Sequence, residues 1–303
     1  MNPVAALAFQ SLLDGGEPVA GIFWEPCLPV LRVFQRAGRE VLIDVAHDRA
    51  RRCRDVAALE GAERLEWSPC RRYGAIVGAG RLAVWNSQKN KVAPSPLEGG
   101  VIEGIAWRPN PPTSEGELWL AGSFGLANWP AEGGFSVRWQ EPVSETTALA
   151  WDPAGTWLAL ACKRGGLTVW NARTNQRAAL ELTGEYPIRE FAWSSRGAML
   201  AGAAANSVFI WSIPAALQGK THARLLRRIN APVSRLAFRP GSNILAVGTI
   251  DGGLELLRAV ESAESPRCAQ LGAPVSHVAW SPHGKRLAVA TSSGQVHSMR
   301  VCK

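Results

Sequence analysis

Residues Val278–Val301 read VAWSPHGKRLAVATSSGQVHSMRV and contain three short apolar runs. One apolar run ends at Trp280 and a second spans Leu287–Ala290, with the turn-forming residues Ser281–Gly284 between them. A second turn, Ser292–Gly294, leads into a third run. Short apolar runs bounded by Ser, Pro and Gly are typical of strands joined by tight turns. The stretch therefore predicts a three-stranded antiparallel meander.

The same unit recurs along the chain. An aromatic residue ends the first run at seven positions, which are Trp24, Trp67, Trp107, Trp151, Trp193, Phe238 and Trp280. Consecutive positions are separated by 43, 40, 44, 42, 45 and 42 residues. In six copies a large residue marks the end of the third run, at Trp85, Trp129, Trp170, Trp211, Leu257 and Met299. In the first copy, Val41–Val45 is the predicted third strand. A period of about 40–45 residues with four short strands is typical of propeller blades.

The repeat predicts an all-β, seven-bladed β-propeller with four-stranded antiparallel blades, in a single domain spanning residues 1–303. One blade cannot bury both faces, whereas blades stacked around an axis bury them against each other. Small residues suit the crowded inner strands, as at Ala106, Ala150, Ala192, Ala237 and Ala279. The last copy runs out after its third strand. We therefore expect Val4–Gln10 to pair with Gln295–Arg300 and close the ring.

These repeats resemble the WD-repeat β-propeller family over nearly the whole chain, in seven degenerate copies. The aromatic–Ser–Pro–x–Gly turn and the terminal Trp of the third strand carry the resemblance. The family's Gly-His dipeptide is replaced by segments such as Ala231–Ser234 and Ala273–Ser276, and its Trp-Asp ending is mostly Trp-Asn, Trp-Pro or Trp-Ser. We therefore expect the family's His–Ser/Thr–Asp–Trp hydrogen-bond network to be missing from most blades. The resemblance implies a non-catalytic scaffold or adaptor that binds other proteins within a complex.

Composition supports a globular protein in a reducing compartment. Thirteen Trp against two Tyr suggest that Trp fills a repeated structural position. The six Cys show no paired spacing, which is typical of reduced thiols in a cytosolic protein. Residues 1–10 lack the features of a signal peptide, and no apolar stretch is long enough to predict a membrane span. We expect a cytoplasmic protein, with the nucleus as the alternative in a eukaryote.

The sequence contains no recognisable catalytic motif. A nucleophile elbow, a phosphate-binding Gly loop, a zinc-peptidase helix and a paired-Cys zinc motif are all missing. We therefore expect neither enzymatic activity nor a cofactor. Cys27, Cys70 and His283 share one turn position in three blades that closure makes consecutive, and both residue types are zinc ligands. No fourth ligand is evident, so a metal-handling or enzymatic propeller is the least favoured hypothesis.

Two surfaces are candidates for partner binding. In the family's geometry one face, the bottom, collects cations from separate blades, and the opposite face is acidic with interspersed cations and aromatic residues. The candidate residues of the bottom face are Arg51, Arg52, Arg71 and Arg72, which Lys89, Lys91, Lys285 and Arg286 extend. Those of the opposite face are Arg64, Phe124, Arg164, Tyr186, Arg189, Arg235 and His277.

We expect protein docking at the acidic face, because aromatic and Arg side chains often dominate interface energy. The formal charge of +8 permits an anionic partner at the basic face. For that face we favour an acidic protein segment and keep nucleic acid or another polyanion as the alternative. No aromatic residues that could stack on bases interleave with these cations. An ordinary solvated surface is the remaining interpretation of both charge sets.

Overall fold

A computed structural model of the protein describes residues 7–47, 49–78, 81–95, 102–109, 116–122, 124–130, 136–139, 145–163, 166–182, 187–260 and 266–301. Side chains at 49–52, 58 and 136–139 lie outside this description. The described residues form 28 strands and one short helix, and the strands form seven four-stranded sheets. The fold is therefore an all-β, seven-bladed β-propeller, as predicted.

The strands follow one another around the blades in chain order. The N-terminal strand is β1 (Gln10–Asp14). Blade 1 contains β2 (Val19–Trp24), β3 (Val30–Gln35), β4 (Ala37–Asp44) and β5 (Arg49–Glu60). Blade 2 contains β6 (Arg64–Trp67), β7 (Tyr73–Gly78), β8 (Arg81–Asn86) and β9 (Lys91–Pro94). Blade 3 contains β10 (Ile102–Arg108), β11 (Glu117–Gly122), β12 (Gly125–Pro130) and β13 (Ser136–Trp139).

The later blades repeat this order. Blade 4 contains β14 (Thr146–Trp151), β15 (Trp157–Cys162), β16 (Leu167–Asn171) and β17 (Arg177–Leu180). Blade 5 contains β18 (Glu190–Trp193), β19 (Met199–Ala204), β20 (Ser207–Ser212), the helix α1 (Ile213–Ala216) and β21 (Arg224–Arg228). Blade 6 contains β22 (Val233–Phe238), β23 (Ile244–Thr249), β24 (Gly253–Arg258) and β25 (Arg267–Gln270). Blade 7 contains β26 (Val275–Trp280), β27 (Arg286–Thr291) and β28 (Gln295–Arg300), and β1 completes it.

The chain divides into two compact units. One comprises residues 1–62, 206–208 and 226–303 and carries blades 1, 6 and 7. The other comprises residues 63–205 and 209–225 and carries blades 2, 3 and 4 with most of blade 5. The single domain predicted for residues 1–303 stays a prediction. Among the described residues, no helix has the length and apolar character that a membrane crossing requires.

The N-terminal strand closes blade 7, which confirms the predicted closure. It pairs with β28 in antiparallel fashion, from Gln10 opposite Ser298 to Asp14 opposite Gln295. The predicted bounds were wrong, because the strand begins where the predicted segment ends, and Val4 lies outside the described residues. The reason is packing. The Leu7 amide donates to the Cys268 carbonyl over 3.0 Å, and the Leu7 and Phe9 side chains pack on the core of blades 6 and 7.

The Trp residues that end first strands join consecutive blades. In four of them the indole N–H donates to a main-chain carbonyl of the preceding blade's first strand. The described bonds are Trp24 to Ala279 (2.9 Å), Trp107 to Glu66 (2.8 Å), Trp193 to Ala150 (3.0 Å) and Trp280 to Ala237 (3.0 Å). Phe and Tyr have no ring N–H in that place. The repeated Trp is therefore both a core side chain and a hydrogen-bond donor between blades.

The Trp-Asn endings keep an acceptor at the turn after the third strand. In blade 2 the Asn86 side-chain oxygen accepts the main-chain N–H groups of Gln88 and Lys89. The Trp85 indole donates to the Asn90 side chain over 3.2 Å. Blade 4 repeats this arrangement, with Asn171 accepting two N–H groups and Trp170 donating to Asn175 over 2.8 Å. An amide oxygen thus satisfies the turn where the family's usual ending has a carboxylate.

Candidate functional site

A cavity of about 330 Å³ lies among the first strands of blades 2–5, within the second compact unit. We call it the inner-strand cavity. Its charged lining residues are Arg64, Glu66, Glu103, Arg189 and Glu190. Its apolar lining includes Trp67, Ile105, Trp107, Leu149 and Phe191, together with the small residues Ala106, Ala148 and Ala150. The small residues expected on inner strands therefore leave space for this cavity.

Bulges in the first strands position polar side chains at the cavity. The pairing of β10 with β11 shifts register at Glu103, and that of β14 with β15 shifts at Thr147. The Glu103 carboxylate accepts the main-chain N–H of Thr146 over 2.8 Å, and the Thr147 hydroxyl donates to the Ile188 carbonyl. Each bulge residue thereby bonds to the next blade. The wall formed by blades 3, 4 and 5 is therefore held by side-chain hydrogen bonds before any ligand binds.

The two arginines of the cavity have different surroundings. Arg64 donates through Nε and Nη2 to one Glu66 oxygen, over 2.8 and 2.7 Å. Attraction by Glu66, aided by Glu190, raises the pKa of Arg64 against the opposing effect of burial. Arg189 is exposed and has no ion pair within the described part of the chain. Arg189 is therefore the cavity's available cation, whereas Glu66 already compensates Arg64.

The lining residues offer charged and aromatic contacts. They include no Ser, Cys, His or Lys, and the hydroxyl of the lining Thr147 is engaged by a carbonyl. Glu66 pairs with Arg64, and Glu103 accepts the Thr146 main-chain N–H, so the described contacts of these two carboxylates lie within the protein. Carboxylates, an available arginine and aromatic rings suit recognition of a polar chain segment.

Two further predicted residues share the register of Arg64 in their own blades. Arg235 in β22 and His277 in β26 each precede the terminal aromatic of the strand by three residues. Arg235 donates to the Ser234 carbonyl over 2.7 Å, and the His277 Nδ1 lies 3.1 Å from the Ser276 hydroxyl. Both belong to the first compact unit. The structure thus brings together Arg64 and Arg189 among the predicted residues and places Arg235 and His277 elsewhere.

Of the aromatic candidates, Phe124 is described and does not line the cavity. Phe124 lies in the β11–β12 turn, where it was expected, and packs half-buried on the core of blades 2 and 3. Tyr186 and Arg164 lie outside the described residues.

The basic candidates fall in two kinds of element. Arg71 and Arg72 lie in the β6–β7 turn, and Arg71 has a left-handed backbone with φ of 58°. Arg51 and Arg52 lie within β5 and not in the turn before it, because β5 already begins at Arg49. A register shift interrupts the pairing of β4 with β5 between Arg52 and Ala50, which leaves Arg51 at the irregularity.

The suggested metal ligands do not belong to a cluster of metal-ligating side chains among the described residues. Cys27, Cys70 and His283 are exposed, and the Cys70 sulfur lies 3.3 Å from the Ser68 hydroxyl. In the portion of the chain that is described, no three His, Cys, Asp or Glu side chains are close enough to hold a metal ion.

The sequence interpretation missed Glu66 and Thr147. Both occupy fixed positions before the aromatic residue of their strand, one residue before Trp67 and four before Trp151. The distance of each residue from the strand's aromatic residue could be read from the sequence. The bulge that turns Thr147 toward the next blade is visible only in the strand pairing.

Comparison with known proteins finds similarity to one family over a short stretch. A family profile described as "WD domain, G-beta repeat" matches residues 267–297, which run from β25 into β28. The chain is similar to this family over that stretch, which contains the last strand of blade 6 and continues through β26 and β27 of blade 7.

Solved WD40 structures have the same fold. The structure titled "Structure of U3-55K" superposes with a TM-score of 0.72 at 12% identity, over 99% of this chain and 100% of that one. "Crystal structure of RRP9 WD40 repeats" gives a TM-score of 0.73 at 13% identity, with the same coverage. No curated protein matches the sequence.

Proposed function

We propose that this protein is a non-catalytic scaffold that docks a protein partner at the inner-strand cavity. The observation that carries this proposal is the lining of the cavity, where the available Arg189 lies among three carboxylates and several aromatic rings. A partner segment with both an acidic and a basic group fits this lining, since Arg189 attracts the first and Glu103 and Glu190 attract the second. Aromatic and Arg side chains are the types that most often dominate interface energy.

The test compares two arginine variants in the native cell. Arg189→Ala removes the available cation, and Arg173→Ala removes an exposed arginine from the β16–β17 turn of the same compact unit. Quantitative mass spectrometry of purified complexes should show a protein whose recovery falls at least several-fold with Arg189→Ala and stays unchanged with Arg173→Ala. Equal recovery of every co-purified protein by wild type and both variants would contradict docking at this cavity.

A second candidate function is capture of a polyanion by cations of blade 2. The Arg72 carbonyl accepts the Ser87 main-chain N–H over 2.9 Å and the Ser87 hydroxyl over 3.0 Å. These bonds hold the β6–β7 turn against the β8–β9 turn, so the exposed Arg72 and Lys89 lie on adjacent turns, and the exposed Lys91 begins β9 next to them. Such a cluster attracts an acidic protein segment or a phosphate backbone through long-range electrostatics.

A further inference from the structure

A second cavity, of about 420 Å³, lies within the first compact unit. Its lining comes from the N-terminal segment Ala8–Gln10, from Val45 and Ala46 after β4, and from the ends of β27 and β28. We call it the seam cavity. Its two charged residues are Arg286 and Arg300, and no Asp or Glu lines it.

The two arginines face each other without a compensating carboxylate. Arg286 and Arg300 are direct partners in the antiparallel register of β27 and β28. Like charges in that position destabilise a strand pair. Burial, with the neighbouring Arg300 charge, lowers the pKa of Arg286. Neither arginine has an ion pair with any residue in the ranges that the structure describes.

The other blades show that the fold does not require this charge pair. The corresponding partners are Tyr73 and Asn86 in blade 2, Trp157 and Asn171 in blade 4, and Ile244 and Arg258 in blade 6. Each of these pairs carries at most one charge. The pair in blade 7 is therefore a local departure from the repeat, and such departures without a packing reason mark functional positions.

The rest of the lining is mostly apolar and includes two polar residues, Gln10 and Ser298. Val45 and Met299 are buried, and Phe9 is half-buried. Ser298 is also buried, and its hydroxyl has no hydrogen-bond partner among the described residues. A mostly apolar cavity with a few convergent polar groups is the usual form of a small-molecule site.

We propose that the seam cavity binds a small organic anion whose carboxylate or phosphate monoester bridges Arg286 and Arg300. The apolar body of the anion lies against Phe9, Val45 and Met299. Guanidinium groups match the planar oxygen pairs of both anions, and an oxyanion between them cancels the repulsion of the two cations. The proposal is independent of partner docking at the inner-strand cavity, because it concerns other residues and another compact unit.

The experiment uses defined probes on the full chain. Phenyl phosphate and benzoate represent the two anions, inorganic phosphate lacks the apolar body, and benzyl alcohol lacks the charge. Titration calorimetry at low ionic strength measures affinity, and thermal unfolding measures the shift in Tm. We expect saturable binding and a raised Tm with phenyl phosphate, benzoate or both, weaker binding of inorganic phosphate, and no binding of benzyl alcohol.

Two variants and a control complete the test. Arg286→Ile copies the blade 6 pair, so it should raise the Tm of the ligand-free protein while weakening probe binding roughly tenfold or more. Arg300→Gln changes an exposed residue and should weaken binding similarly. Arg258→Gln, at the equivalent place in blade 6, should leave binding unchanged. Equal probe affinity in wild type, Arg286→Ile and Arg300→Gln would overturn the proposal. So would the absence of saturable binding, or binding of benzyl alcohol or inorganic phosphate as tight as that of the organic anions.

Discussion

Hydrogen bonding by single residues explains much of what holds neighbouring blades together. Four first-strand Trp residues donate to the preceding blade, whereas the Trp151 indole N–H has no hydrogen-bond partner in the described structure. The Arg108 guanidinium instead lies 4.9 Å from the centre of the Trp151 ring, and its Nε donates to the Gly155 carbonyl over 2.8 Å. Trp at the same repeat position thus makes an indole hydrogen bond in some blades and a contact with an arginine guanidinium in blade 4. Substitutions at these positions can compare the energies of the two contacts.

The first prediction compares Trp→Phe substitutions at equivalent positions. Trp107→Phe and Trp193→Phe each lose an indole hydrogen bond and leave a carbonyl without its donor, whereas Trp151→Phe loses no such bond. Because all three lose the same ring volume, the first two should cost about 0.5–1.5 kcal/mol more in unfolding free energy than the third. Urea unfolding of the three variants gives the comparison. Equal losses would show that these indole bonds contribute no more than the Arg108 contact that Trp151→Phe weakens.

The second prediction concerns two glycines with the same backbone conformation. Gly155 and Gly241 have φ of 66° and 69°, so alanine pays a similar backbone cost at both. A Cβ on Gly155 would lie 1.9 Å from the Pro109 carbonyl oxygen, whereas a Cβ on Gly241 meets nothing within 4 Å. Gly155→Ala should therefore lower the unfolding free energy by about 1–3 kcal/mol more than Gly241→Ala. Similar unfolding midpoints for the two variants would contradict the close approach.

At the level of elements, local sequence patterns predicted the strands. The features that these patterns did not predict depend on packing between residues far apart in the sequence. Trp85, Trp170 and Trp211 end third strands as expected, because turn chemistry and apolar runs are local properties. The bounds of β1 depended on where Leu7 and Phe9 pack, which no local pattern reveals. The inner-strand cavity itself was not predicted, although Arg64 and Arg189 were among the predicted docking residues, since the bulges that shape the cavity are properties of strand pairing.

The third prediction tests closure by β1. Deleting residues 1–14 leaves one edge of β28 unpaired and removes Leu12 and Leu13 from the core of blades 1 and 7. The Tm should fall by more than about 5 °C, and the exposed edge should promote self-association. Ser11→Ala, an exposed change within the same strand, should leave the Tm near that of the wild type. A deletion variant with wild-type Tm would exclude a stabilising role for β1.

The fourth prediction follows from His297 in β28. Its Nε2 is buried with no hydrogen-bond partner in the ranges described, and the Phe9 ring lies edge-on at 6.3 Å. Burial lowers the pKa of His297 below its ordinary value, although Asp14 opposes this. The unfolded chain therefore takes up a proton at a pH where the folded chain resists it. Stability should be complete above the unfolded pKa of about 6.5 and should decline as the pH falls below it.

The measurement is the free energy of unfolding between pH 7.5 and pH 5.5, with His297→Gln as the comparison. Glutamine does not titrate, so the variant should lose less stability than the wild type over this interval. Parallel pH curves for the two proteins would show that protonation of His297 does not drive the loss.

At the scale of the whole molecule, net charge cannot choose between partners, because the charge of +8 is spread over several elements. The two candidate docking places differ instead in local composition. The inner-strand cavity mixes both signs of charge and so favours a specific polar segment, whereas the blade 2 turns expose cations alone. Specific docking should therefore persist at moderate salt, while binding to the turns should weaken steeply as salt screens the charges.

The fifth prediction separates the turn cations of blade 2 from net charge. The first double variant carries Arg72→Glu and Lys91→Glu, and the second carries Arg81→Glu and Arg228→Glu. Both lower the formal charge by the same amount, and all four residues are exposed. A poly-glutamate peptide should bind the wild type and the second variant alike, and the first variant much more weakly, with affinity falling as salt rises. Binding of a DNA duplex with a steeper salt dependence, without binding of the peptide, would favour the nucleic-acid alternative. Equal weakening by both variants would show that only net charge attracts the probe, and that these turns form ordinary solvated surface.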